Sequence, residues 1–424
     1  MSKSINITVV VESLDANANS GAKANLALIK NLQKAGFHLK VLHYTRQEEQ
    51  LENIPVVSIP ENKINLTYFL SKLQLVIKRL TGININKSIE KRLGFSLAWF
   101  NDSMSIATAL EKEVDFTPDY VLTLSYASSF RAHNALLKLP HWHAKWIAYV
   151  HDPFPQHSYP RPYDWVEPGH QHKRNFFLKI TEKAKYLAYP SQLLAEWMES
   201  YYAPSHGKSI IIPHQIDTDA QVAQGIPDFF DVTKFNILHA GSMMSARNPD
   251  ALIKAFLRLI EEEPGAAEQA RLVFVGSRSI FHEKIEFLHN KYPQLYSSEG
   301  YISFDQVLRM QMEASVNVIL EAKGPVSPFL PGKFPHCILS RKPVLHIGPA
   351  KSEVCRLLGT DYPYTAEIDD EQKIFQHLQF LYERWKNNGE NEQLYSNELM
   401  AYLSPSYLKE LISNLAKTEP KAGV

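Results

Sequence analysis

Residues whose types and spacing could do chemistry gather in four stretches of the 424-residue chain. The most informative is 314–346, where an apolar strand over 316–320 runs into a Gly/Pro-rich loop ending in Pro331-Gly332-Lys333. A short apolar helix follows, and Lys342-Pro343 leads into another strand. Backbone N–H groups at a helix start, with a Lys beside them, can hold a phosphorylated ligand, because donors and ammonium both face negative oxygens. The plain alternative is a strand-to-helix turn carrying a surface Lys. In 147–153, His151 and Asp152 stand at the carboxyl end of an apolar strand. A His there can bond a hydroxyl or shift a proton, its ordinary pKa lying near neutrality. The alternative, a helix-capping Asp beside a structural His, is weakened by Pro153 and Pro155, which leave no helix to cap. Gly241 and Ser242 follow a third strand, with Arg247 close behind, and an Arg can grip phosphate oxygens bidentately. Finally, Gly21 follows the first strand in a Ser/Asn/Gly turn over 17–21, where a glycine lets backbone approach a ligand closely.

The elements that must position these residues alternate. Strands are expected at 5–11, 39–44, 55–59, 120–124, 146–150 and 186–189, with helices between most of them. A second series begins after 210–213: strand 235–240, helix 250–262, strand 271–275, helices 280–291 and 305–313, and the stretch around Lys333. The polar run 214–231 reads as the linker. Such alternation implies mostly parallel, doubly wound sheets, which bind ligands beyond the carboxyl ends of their strands. Periodicity alone supports two α/β domains and no more specific plan.

In their order along the chain, these stretches resemble the glycosyltransferases of the GT-B fold, family four and its relatives. There a P-x-K-x-x-E-Y…G-K-P pattern sits under a nucleotide-sugar. Lys333 and Lys342-Pro343 match it, while His336 stands where the pattern has Glu. Gly241 matches the glycine that opens the second domain, with Arg247 at the family's Lys and Ser242 at its Arg. Gly21 is similar to the turn that approaches the donor, and His151-Asp152 to the His or His-Asp beside the transferred sugar. The family's paired Glu positions fall on Pro328 and His336, which makes Ser327 a substitute contact to sugar or phosphate.

The resemblance implies an α/β protein of two doubly wound Rossmann-like domains facing across a cleft. Residues 1–213 would be the acceptor side, 214–395 the nucleotide-sugar side, and 396–424 a helix packing back on the first domain. It implies transfer from a nucleotide-diphosphate sugar to a saccharide or lipid-linked acceptor with retention of configuration, as in polysaccharide biosynthesis. His151 and Asp152 would serve catalysis. Gly21, Gly241, Ser242, Arg247, Ser327, Lys333 and His336 would hold the donor. No cofactor and no metal are implied, Arg247, Lys333 and loop N–H groups neutralising the leaving diphosphate. The departures at Ser242 and His336 keep a non-catalytic binding protein open, and a sugar-nucleotide epimerase is a third reading.

Composition excludes other classes. Lys plus Arg equals Asp plus Glu at 45 each, so net charge gives no reason to expect a nucleic-acid partner. The two cysteines, Cys337 and Cys355, lie in apolar surroundings without metal-ligand spacing and read as two buried thiols in a reducing compartment. The N-terminus reads as a first strand and not as a signal peptide, and no run approaches the ~20 apolar residues that span a bilayer, so a cytoplasmic location is expected. The loop 151–172, rich in His, Pro and aromatic residues, lacks metal spacing and reads as the lining of an acceptor cleft. Residues 63–92 carry seven basic side chains against Glu90 alone, with Leu66, Phe69, Leu70, Leu73, Ile77 and Leu80 on one helical face. Such a helix can lie on an anionic membrane surface, or dock on the sheet with a solvated outer face.

Overall fold

A computed structural model describes residues 4–16, 19–300, 302–387 and 394–418. Part of the expected turn at 17–21 and residues 419–424 of the expected last helix lie outside these. The chain forms two compact units. The first comprises Met1–Tyr159, Tyr163–Gln215 and Ser404–Val424, and the second Pro160–Pro162 and Ile216–Leu403.

In the first unit seven strands form one parallel sheet: β1 (Asn6–Val11), β2 (His38–His43), β3 (Val56–Ser58), β4 (Tyr120–Leu124), β5 (Trp146–Tyr149), β6 (Tyr186–Tyr189) and β7 (Ser209–Ile211), in the order β3-β2-β1-β4-β5-β6-β7. β1 and β4 are short runs of apolar, largely β-branched residues buried on both faces, as a sheet covered by helices on both sides requires. Helix α1 (Ser20–Lys34) starts where Asn19 Oδ1 accepts from the Ala22 N–H, and Gly36 at φ +92° turns the chain into β2. Gly21 is therefore a first-turn helix residue and not a turn glycine; a Cβ there would meet only Asn19 Oδ1 at 3.3 Å and the Ala127 N at 3.9 Å. The expected segment 396–424 divides. Helix Asn397–Tyr402 buries Leu399 in the core of the second unit, while Pro405–Thr418 puts Leu408 and Ile412 into the apolar cluster of α1 and β1.

The second unit repeats the plan with six parallel strands: β8 (Phe235–Ala240), β9 (Ala270–Val275), β10 (Leu295–Ser297), β11 (Val316–Leu320), β12 (Val344–Ile347) and β13 (Thr365–Ala366), ordered β10-β9-β8-β11-β12-β13. Its core joins these strands to helix Asp250–Glu262, whose Leu252, Ile253, Phe256 and Leu259 recur at helical spacing.

Strand order reverses between β1 and β4 in one sheet and between β8 and β11 in the other. At such a reversal the connections leave to opposite faces, and the carboxyl ends of the two strands open a crevice for a ligand. Both doubly wound sheets are thus those expected from the alternation of strands and helices.

Candidate functional site

The β8/β11 reversal brings together two cationic residues of the second unit, Lys333 and Arg247. β8 is followed by Gly241, which holds φ +144°, a conformation L side chains avoid. A Cβ on Gly241 would stand 3.6 Å from Lys333 Nζ, and one on Gly276 would lie 2.7 Å from the Gly241 carbonyl oxygen. Two glycines therefore let backbone and ammonium come together. Lys333 immediately precedes the six-residue helix Phe334–Leu339, and its Nζ donates to the Val318 carbonyl of β11 at 3.1 Å. Ser242 Oγ lies 3.1 Å from Ser277 Oγ. Arg247 sits in a turn closed by its N–H to Met244, and its Nε is buried with no hydrogen-bond partner among the described residues.

The electrostatics of this cluster are those of bases that oppose one another's charge. Burial, then the neighbouring Arg247, lowers the Lys333 ammonium to about 7, although Cys337 and Glu321 pull the other way. His239 on β8 is held neutral, well below its ordinary value, by burial and then by the charges of Lys333 and Arg247. Basic groups that suppress one another's protonation are stabilised by an incoming anion, such as a diphosphate.

The remaining residues expected here are placed differently. Ser327 is buried, and its hydroxyl donates to Glu321 Oε1 at 2.7 Å. Its backbone is held from both sides, N–H to the Lys351 carbonyl and carbonyl to the Glu353 N–H. His336 is buried in helix Phe334–Leu339 with its ring edge-on to Phe304, 5.2 Å between centroids.

In the first unit, His151 follows β5 and is also buried. Asn25 of α1 donates through Nδ2 to the Ser125 carbonyl at 3.0 Å, which turns its Oδ1 toward His151 Nε2 at 2.7 Å. His151 Nε2 therefore carries the hydrogen, and Nδ1, 3.2 Å from His214 Nε2, accepts. Burial first, then His214 and His133, holds this imidazole neutral, far below its ordinary value. Such a ring is not poised to carry charge, and both of its nitrogens already have partners. Asp152 is half-buried in the loop that follows.

Sequence reasoning missed several partners. Asn25 hides among the apolar residues of α1, and His214 lay in the expected linker. After β1, Glu12 accepts from Arg131 Nη1 at 2.8 Å, Arg131 Nε donates to Asp102 at 2.9 Å, and Tyr44 donates to the same carboxylate at 2.9 Å. This network borders a cavity of about 360 Å³ lined also by Trp99, Ser128 and Lys173. A second cavity, of about 610 Å³, is lined by Lys87, Lys91, His170 and His172 among others. Loop 151–172 contributes to it through residues 166–172, while Tyr159, Tyr163 and Trp165 stack on one another, with centroids 4.8–5.7 Å apart.

The basic amphipathic stretch resolves into α2 (Leu66–Thr81) and α3 (Asn86–Leu93), separated by Gly82 at φ +72°. α2 is turned inside out relative to a sheet-covering helix. Its buried residues are Ser71 and Gln74, and it packs on α4 (Leu97–Lys112). The preceding loop ties to α4 through polar bonds, Asn65 Nδ2 to Asn101 and the Asn62 N–H to Ser105. The apolar face looks outward: Leu66 is 74%, Phe69 61%, Leu73 53% and Leu80 78% exposed. The alternative in which a solvated polar face is the outer one does not hold for this helix. Among the described residues no helix is long and apolar enough to cross a membrane.

Two parallel α/β units of seven and six strands constitute the fold of the GT-B glycosyltransferases, and solved structures bear this out along the whole chain. The fold is similar to that of a glycosyltransferase from Rickettsia africae (TM-score 0.59, 13% identity, 98% of both chains). It is also similar to WaaG, a glycosyltransferase involved in lipopolysaccharide biosynthesis (TM-score 0.55, 11% identity, 99% of this chain and 100% of the other). A third similar structure, the E. coli trehalose-6-phosphate protein bound with UDP-2-fluoro glucose, gives a TM-score of 0.59 at 12% identity over 98% and 99% of the two chains. No family model matches the sequence, and no curated protein does.

Proposed function

We propose that this chain is a glycosyltransferase that moves a sugar from a nucleotide-diphosphate sugar to a saccharide or lipid-linked acceptor, with retention and without a metal. The observation that carries this reading is the cationic cluster of Lys333, Arg247 and the Gly241 turn at the β8/β11 reversal. Support comes from the fold shared with two glycosyltransferases and with a protein bound to UDP-2-fluoro glucose. In this reading the two cations and the backbone N–H groups of the turn that follows Gly241 neutralise the leaving diphosphate, a charge that grows as the bond to the sugar breaks. His151 and Asp152 serve the transferred sugar. His151 does so as a neutral, rigidly held ring that exchanges its bond to Asn25 or His214 for one to the sugar. Ser327 and His336 act from the walls of the donor loop, and Gly21 from the start of α1. The acceptor is received in the first unit, where Arg131 and Lys173 line a cavity suited to a polar or phosphorylated saccharide.

The test is a panel of UDP-, GDP- and ADP-sugars in a thermal-shift assay with and without EDTA, followed by nucleotide-release measurements. One base should raise the melting temperature equally in EDTA, by several degrees at saturating ligand. A shift that vanishes on chelation would sink the metal-free mechanism, and no shift with any nucleotide would sink the donor site.

The acceptor reading extends to the membrane. α2 offers an outward apolar face, and the stretch 63–92 supplies seven basic side chains against one acidic. That combination suits an anionic bilayer: the apolar residues enter the headgroup boundary, and each nearby cation adds about 1 kcal/mol. Co-sedimentation with vesicles containing phosphatidylglycerol is expected at low salt and should weaken as salt rises, since screening acts within ~10 Å at 0.1 M. Leu66→Asp, Phe69→Asp and Leu73→Asp together should abolish it without lowering the melting temperature, because these side chains are already exposed. Absence of binding at low salt would refute the proposal.

A further inference from the structure

The second unit holds a cluster of nucleophilic and titratable groups that the transfer reaction does not use. Cys355 Sγ lies 3.3 Å from His346 Nδ1, and His346 Nε2 lies 2.6 Å from Glu321 Oε2. His346 and Glu321 are buried, whereas Cys355 is partly open to solvent. With its Nε2–H donating to the carboxylate, the imidazole presents Nδ1 to the thiol. The geometry is held on every side. Ser327 Oγ bonds the other oxygen of Glu321, Ser352 Oγ lies 3.4 Å from His346 Nε2, and the Cys355 N–H donates to Ser352 Oγ at 3.0 Å. Gly348 leaves the room: a Cβ there would come within 2.8 Å of Glu321 Cβ and 3.0 Å of His346 Nε2.

We infer that Cys355 is a peroxide-reactive modification site, activated by His346 and Glu321. The Cys355 thiol proton passes to His346 Nδ1, and the resulting imidazolium is stabilised by Glu321. The thiolate attacks one oxygen of hydrogen peroxide, so that an S–O bond forms and the O–O bond breaks. The departing hydroxide takes the proton back from His346 and leaves as water. Sulfur is oxidised to sulfenic acid and peroxide is reduced. Although burial opposes the charge on His346, the bonds to Cys355 and Glu321 outweigh it and hold the imidazolium above its ordinary range. The other thiol provides an internal control. Cys337 is fully buried and its thiol is pushed up to about 11, so it stays protonated and shielded. Because Glu321 also holds Ser327, an oxygen added to Sγ disturbs the network at the start of the loop that ends in Lys333.

The test is brief exposure of the folded protein to hydrogen peroxide at pH 7 with a dimedone probe, read by peptide mass spectrometry. Label is expected on Cys355 and not on Cys337, at a rate at least ten-fold above that of glutathione. Glu321→Gln and His346→Gln should each lower the rate ten-fold or more. Should either variant fail to fold, the comparison with glutathione in the parent protein still decides. A parent rate no higher than that of glutathione, or one unchanged in a folded Glu321→Gln protein, would overturn the inference.

Discussion

Lys333→Glu is expected to remove measurable binding of a nucleoside diphosphate, and Lys333→Ala to weaken it about ten- to a hundred-fold. A charge-assisted bond of this kind contributes roughly 1.5–3 kcal/mol, and Glu adds repulsion where the diphosphate would sit beside Arg247. Lys333→Arg should keep part of the affinity, because the planar guanidinium cannot fill the place of a compact ammonium wedged beside Gly241. The pH dependence is specific. Unliganded Lys333 titrates at about 7, and a bound diphosphate must raise that value. Affinity is then fully developed below pH 7 and falls by up to about ten-fold per unit as pH rises from there toward the raised value. Calorimetry at pH 8 in two buffers of different ionisation enthalpy should register proton uptake by the parent. Lys333→Ala should register only what the nucleotide itself contributes. Equal affinity in the parent, Ala and Glu proteins would remove the main support for the donor site.

Substituting His151 is expected to separate turnover from nucleotide binding. The ring belongs to the first unit and the diphosphate cluster to the second, so His151→Ala should leave nucleotide affinity within about two-fold. Nucleotide release from the matching sugar donor should fall about a hundred-fold, the cost of misplacing a reacting group by about an ångström. The effect is one of placement. Nε2–H is committed to Asn25 and Nδ1 faces His214, and the buried ring stays neutral at physiological pH. Asn25→Ala, which frees the ring without removing it, should lower turnover in the same direction, while His151→Gln should retain more than Ala. A His151→Ala protein of parental stability that turns over within a few-fold of the parent would assign the residue to structure.

Both sheets were legible as apolar, β-branched runs alternating with helical patterns, because a fully covered parallel strand needs little beyond a short buried run. The three-residue β7 and β10 and the two-residue β13 escaped, being too short to carry a period. Lys333, Gly241 and Arg247 were legible for a local reason, since glycine turns and cations after strands have sequence signatures. Their effect on one another was not. That Lys333 loses protons to burial and to Arg247 depends on side chains brought together from β8, β11 and the donor loop.

The cysteines and the basic helix show the limit most clearly. Apolar neighbours in sequence suggested two buried thiols, which holds for Cys337, whereas Cys355 lies half-open against His346. The heptad-like pattern of Leu66, Phe69, Leu73 and Leu80 established an amphipathic helix, and periodicity carries no information about which face turns inward. Sequence by itself thus determined the two doubly wound sheets and the local turns that carry cations, all products of short-range pattern. Tertiary structure alone decided the Asn25–His151–His214 chain, the Cys355–His346–Glu321 cluster and the outward face of α2, because each depends on contacts between residues distant in sequence or on a choice of packing partner that local pattern does not encode.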